Sequence, residues 1–268
     1  MKRILLIPAT LLALSSAHSF GSQTSTARAW VILQQGLKSH RAEERANAVH
    51  ALRLLPHNPR AQEMAENALT DQCPTVRAAA ARALGPMGSV SSAPKLKAVL
   101  NDKEPAVVLA AARSRFMLGE REEPYEIDYE VLTGERKSAN GFVKSQINEL
   151  KDPKADAMIG VETGIGFVPF GSEGYELFKR IRKDEHTPVR EAAAKELAAD
   201  RDPKIDAALA KASSDKQWRV REAAVVAIAR REDPKLLHVI TPLLDDKSEV
   251  VRYEASATLL RLSGKAPE

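Results

Sequence analysis

Residues 184–190 read DEHTPVR, and the pattern returns as DKQWRVR at 215–221 and as DKSEVVR at 246–252. In each copy an aspartate stands six residues before an arginine, with valine preceding the arginine, and the copies lie 31 residues apart. The same unit occurs earlier as DQCPTVR at 71–77 and, 31 residues later, as DKEPAVV at 102–108, where Val108 takes the place of the arginine. A fixed period of this length marks a repeat array, whose units bury their apolar faces against their neighbours rather than in one central core.

Each unit reads as helix, turn, helix. In the second helices Val76, Ala80 and Leu84 are four apart, as are Val189, Ala193 and Leu197, then Val220, Ala224 and Ile228, then Val251, Ala255 and Leu259. Spacing of four keeps side chains on one helical face, and alanine in mid-stripe lets a neighbouring helix come close. The turn aspartate can accept N–H bonds at the helix start, and Pro74, Pro105 and Pro188 fall in the first turn, where a missing N–H costs nothing. The first helices repeat as well. Asn58-Pro59, Asp202-Pro203 and Asp233-Pro234 each precede a turn aspartate by a constant interval. At the N-terminal side Arg45, Ala48 and Leu52 match the unit with Glu44 in place of valine, and residues 29–37 supply its partner helix. Ser263-Gly264 stops the last helix.

The chain has 268 residues, few aromatics (4%) and 28% charged residues, so a stack of tight helix pairs suits it better than a β-sandwich. Net charge is +4, and the charges are mixed without long basic runs, which argues against a nucleic-acid footprint. Cys73 is the one cysteine, so an intramolecular disulfide and a four-thiolate zinc site are excluded, and the thiol reads as packing.

Lys2-Arg3, an apolar run over residues 4–14, and Ala17 and Ser19 at the −3 and −1 positions read as a signal peptide over 1–19. The apolar run is too short to cross a bilayer, so the mature chain is expected to carry no transmembrane anchor and to be secreted or periplasmic.

Residues 121–174 admit no copy of the unit. YEIDYEVL at 125–132 is β-prone, and Thr133-Gly134 and Asn140-Gly141 are turn signals, so this segment reads as an insertion or degenerate unit with room for a short β-hairpin. The organisation expected is therefore a leader at 1–19, a block at 27–120, the insertion at 121–174 and a second block at 175–263.

The element Pro-x-Val-Arg-x-Ala-Ala-Ala at 74–81, and its shorter form at 188–194, resembles a HEAT repeat, most closely the short bacterial HEAT-like type of bilin-lyase-related proteins. The resemblance covers about 40–120 and 175–263. It implies an all-α fold, an α-solenoid whose concave face is lined by the second helices. It also implies a ladder between adjacent repeats, built from Asp71 and Arg77 and from Asp184, Asp215 and Asp246 with Arg190, Arg221 and Arg252. At Val108 the ladder should be broken or shifted, with Arg115 standing where the previous unit has Leu84.

No reaction chemistry stands out. The six histidines form no His-x-x-x-His or His-Glu-x-x-His pattern, no Gly-x-Ser-x-Gly elbow occurs, and Gly164-Ile165-Gly166 lacks the rest of a nucleotide loop. A repeated Asp–Arg pair suits a strut rather than an acid–base couple, because catalysis needs one set of groups in one place. The reading is a non-catalytic scaffold without cofactor or metal, expected to be monomeric, that binds a protein partner on its concave face. Candidate contact residues are Trp218, Arg82, Arg113, Lys195, Glu222, Arg230 and Arg261, with Phe167 and Phe170 as an aromatic pair in the insertion. Two alternatives are a lyase-like or accessory protein holding a substrate in the groove, and nucleic-acid binding by a basic concave face. The scaffold reading itself rests on fold analogy.

Overall fold

The structure, a computed structural model, describes residues 13–120, 187–200 and 202–264. Residues 1–12 of the expected leader, the 121–174 segment with Phe167 and Phe170, and Asp184 lie outside the described residues.

The described residues form an all-α solenoid. Its helices are α1 (Ala13–Leu37), α2 (Ala42–Ala51), α3 (Pro59–Ala68), α4 (Pro74–Leu84), α5 (Ala93–Val99), α6 (Pro105–Met117), α7 (Thr187–Leu197), α8 (Pro203–Ala212), α9 (Trp218–Arg231), α10 (Leu237–Ile240) and α11 (Glu249–Ser263). Short 3₁₀ turns at Leu52–Leu54, Val90–Ser92, Pro234–Leu236 and Thr241–Asp245 complete the pairs. The helix starts follow from the capping residues. Asn58 accepts the Ala61 N–H at 3.0 Å, and Asp202 and Asp233 accept the N–H groups of Lys204 and Lys235 at 2.9 Å, each just ahead of a proline.

The stripes read from sequence are buried in α4, α9 and α11, where Val76, Ala80, Leu84, Val220, Ala224, Ile228, Val251, Ala255 and Leu259 form the spine of the core. In α7 the register differs: Ala194 and Ala198 are buried and Ala193 is exposed. Among the described helices α7 packs chiefly against α9, and Ala194 and Ala198 share an apolar cluster with its Ala223, Ala227 and Ile228.

The order of stacking departs from the order of the chain. Second helices pack in the sequence α7, α9, α11, α2, α4, α6, so the end of the chain's last unit is followed in space by its first. Helix α1 lies against both α2 and α11, serving as partner helix of the first unit and as neighbour of the last. Its Ala29 joins the apolar core of the C-terminal half, and Leu33 joins that of the N-terminal half. From the other side Tyr253 and Ala257 of α11 and Val226 and Ala229 of α9 enter the N-terminal core. Gly36 sets the closeness of this seam: a Cβ there would come within 2.6 Å of the Tyr253 ring and 2.7 Å of the Ala48 Cβ. A 31-residue period shows which units can stack but not which two ends meet, so this order was not legible from the repeat.

Candidate functional site

The struts are built first, because they align the second helices. Arg77 donates to both carboxylate oxygens of Asp102, at 2.7 and 2.8 Å, and Arg221 does the same to Asp246, at 2.7 and 2.6 Å. Arg190 donates to Asp215, and Arg45 donates to Asp71 at 2.8 and 2.9 Å. The arginine of each unit thus reaches the aspartate of the next. Its remaining Nη1 donates to the backbone oxygen of its own unit's turn, as Arg77 does to Asp71 O at 2.9 Å and Arg221 to Asp215 O at 2.8 Å. Each aspartate also accepts the N–H two residues on, from Cys73, Glu104, Gln217 or Ser248. The aspartates therefore fix the residue that precedes the helix rather than capping its first turn, and Cys73 belongs to this turn as a half-buried thiol.

At Asp71 the Arg45 bond is the largest influence, and it holds the carboxyl below the usual aspartate value. At Asp102, Asp215 and Asp246 burial pushes the other way, and the arginine and backbone bonds outweigh it, so these carboxyls also lie low. Paired in this way, the ladder carboxylates are ionised acceptors at neutral pH and hold no proton to exchange.

The ladder stops at Val108, and Arg115 turns instead to Glu120. It also stops at Arg252, which donates to the backbone oxygens of Asp246 and Lys247. The unit that follows Arg252 in space carries Ser39 at the aspartate position. The Ser39 oxygen accepts the Arg41 N–H at 3.1 Å, its hydroxyl donates to Glu44 at 2.5 Å, and its backbone oxygen accepts from Arg45.

The seam is therefore held by residues the repeat does not specify. Arg53, just after α2, donates to Glu254 Oε1 of α11 at 2.5 Å. Arg261 bonds Glu232 at 2.6 Å and reaches across to the Leu54 backbone oxygen at 3.1 Å. Arg28 pairs with Asp245, and Arg41 approaches Glu249 at 3.7 Å. Burial and the nearby Glu44 push the Glu249 carboxyl up, while the Ser39 hydroxyl leads the influences that hold Glu44 low.

Across this seam runs an open groove of about 1680 Å³, lined from the N-terminal half by residues including Arg41, Asn47, His50, Arg53 and Arg82, and from the C-terminal half by Glu191, Lys195, Trp218, Glu222 and Arg230. Of the contact residues proposed from sequence, Trp218, Arg82, Lys195, Glu222 and Arg230 meet here. Arg113 stands exposed on α6, outside the groove lining, and Arg261 is taken up by the seam. Trp218 is 39% exposed, with the Arg219 guanidinium 5.5 Å from its ring centre.

The groove floor carries a set of ionisable groups of which the sequence alone singled out only Glu222. Burial and the neighbouring Glu254 push Glu222 up to about 7, against the pull of Arg53 and Lys195. Burial also raises Glu191, opposed by Arg219 and Lys195. Burial and the charges of Arg53 and Arg82 keep His50 well below its usual value, so it stands neutral at pH 7. Glu254 is 1% exposed, and its second oxygen has no hydrogen-bond partner. The one signal in the sequence was a mismatch: Glu254 falls where the two preceding units have Ala192 and Ala223. Among the described residues no group of three or more His, Cys, Asp or Glu side chains is placed to hold a metal ion, and no helix is long and apolar enough to cross a membrane.

The chain belongs to the HEAT-repeat family: the family's sequence model matches residues 31–115 and 176–260, more than half of its length. No curated protein sequence matches it significantly. Among solved structures it is similar to human deoxyhypusine hydroxylase in complex with glycerol, at 16% identity and a TM-score of 0.34, over 92% of this chain and 99% of that one. It is also similar to the complex of CpcE and CpcF of phycocyanin lyase from Nostoc sp., at 18% identity and a TM-score of 0.33, over 97% and 100%. A third is an engineered protein at 17% identity and a TM-score of 0.29, over 90% and 97%.

Proposed function

We propose that this protein is a non-catalytic scaffold that binds another protein in the groove shared by its two halves, and that it works outside the cytoplasm. The observation that carries the first part is the groove itself. It is open, draws its lining from both halves, and presents Trp218 partly exposed beside polar and charged side chains. An aromatic anchor ringed by polar groups is the composition of a protein-binding patch. Its long open shape suits an extended segment better than a small substrate, which needs enclosure. Export rests on the leader-like residues 1–19.

The test is crosslinking in intact cells through a photoreactive residue at Ala79, in the groove wall, followed by capture of the tagged protein. A discrete crosslinked partner in the exported fraction is expected, on a chain that begins at Phe20. Recovery of no partner at any salt concentration would count against the scaffold, and a cytoplasmic chain retaining residues 1–19 would count against export.

A further inference from the structure

The strut bonds show that successive second helices run parallel, since the first turns of one reach the loop before the next. Contacts across the seam keep this alignment, with Arg41 near Glu249 at one edge and Arg261 on the Leu54 oxygen at the other. The last turns of α9, α11, α2 and α4 therefore share one edge of the groove. Arg230 lies in the last turn of α9 and Arg82 in that of α4. Both line the groove, both are exposed, and among the described residues neither has a hydrogen-bond or ion-pair partner. The strut arginines and Arg53, Arg231 and Arg261 pair with carboxylates, and Arg219, the other exposed arginine of the groove lining in this state, lies over the Trp218 ring at the opposite edge. Three interhelical steps of 8–10 Å separate them, so the span is roughly 24–30 Å.

The groove's own acids do not answer these cations. Glu191 lies in the field of Arg219 and Lys195, and Glu222 in that of Arg53 and Lys195, so the floor is offset from within. Arg82 instead adds to the positive field at His50. What the edge lacks is anions from outside, set far apart.

Resting on the scaffold reading, we infer that the partner enters the groove as an extended acidic segment whose carboxylates pair with Arg82 at one end and Arg230 at the other. An extended chain rises about 3.3 Å per residue, so the two acidic positions stand roughly seven to nine residues apart. A nucleic-acid strand fits less well, because its closely spaced phosphates would also meet Glu191, Glu222 and Glu249.

The experiment measures fluorescence anisotropy of the full chain with three labelled probes: a ten-residue peptide with a glutamate pair at each end, the same peptide with lysine pairs, and decathymidylate. The acidic peptide should bind most tightly. Arg82→Ala and Arg230→Ala should each weaken it roughly three- to fivefold, and the double variant by the product of the two. Lys103→Ala and Lys235→Ala, which remove exposed charges outside the groove, should leave binding unchanged. Tighter binding of the lysine peptide or the oligonucleotide would overturn the inference, as would equal losses from all four single variants. If crosslinking captures a partner while the acidic peptide does not bind, the charge assignment fails and the scaffold stands. If no partner is captured, the scaffold itself fails.

Discussion

Replacing Arg53 with alanine is expected to remove about 3–5 kcal/mol of folding stability. Glu254 is buried in α11, and Arg53, in the turn just after α2, supplies its hydrogen-bonded countercharge at 2.5 Å. Without the guanidinium one oxygen that already lacks a partner becomes two, and an uncompensated carboxylate remains between the halves. Urea unfolding followed by circular dichroism reads the loss as a lower midpoint. The double variant Arg53→Met/Glu254→Leu should regain most of it, because replacing a buried pair by apolar groups of similar volume is often neutral or better. An Arg53→Ala variant as stable as the parent would mean that α2 and α11 are not held together in this way.

The second large effect is tied to pH. Below the ordinary glutamate value near 4.5 the Glu222 carboxyl is protonated in folded and unfolded chains alike, and it contributes nothing. Between 4.5 and about 7 the folded chain keeps that proton while the unfolded chain loses it, so stability falls as pH rises through this window. Above 7 the full cost of about 3 kcal/mol is present. His50 works in the opposite sense, since a buried neutral imidazole disfavours folding once the unfolded chain protonates below 6.5. The strut aspartates gain their stabilisation at lower pH and are complete before the window opens. The difference between parent and Glu222→Gln isolates the one group. The variant's advantage in unfolding free energy should grow by about 2–3 kcal/mol from pH 5 to pH 8. A difference that does not change with pH would show that Glu222 titrates as an ordinary exposed carboxyl.

These two effects mark the boundary of what the sequence could tell. The strut residues were legible because a repeated function leaves a repeated spacing: Asp71, Asp102, Asp215 and Asp246 announce themselves by period alone. Arg45 completes the same ladder from a unit whose own aspartate is replaced by Ser39. The groove residues Arg82, Lys195, Glu222 and Arg230 could be named as second-helix positions, but not as neighbours, because the contact between α11 and α2 joins residues some two hundred positions apart. Gly36, Arg53 and Glu254 carry that contact, and none of them repeats with the period. A period reports the interaction every unit shares. The seam is made of the exceptions, and the seam places Arg82 and Trp218 on one groove.

Everything said of the groove depends on the stacking order α9, α11, α2, α4. The direct test is a pulsed electron–electron distance between spin labels at Thr75→Cys and Lys216→Cys, in a chain whose lone cysteine is changed to Cys73→Ser. Thr75 and Lys216 line the groove from opposite halves. Three interhelical steps predict a single narrow distribution centred between about 20 and 40 Å, including the label arms. A solenoid that grew in chain order, with two further units between α6 and α7, would put five steps between the labels and centre them at roughly 40–50 Å. That distance, or a flat distribution, would contradict the account.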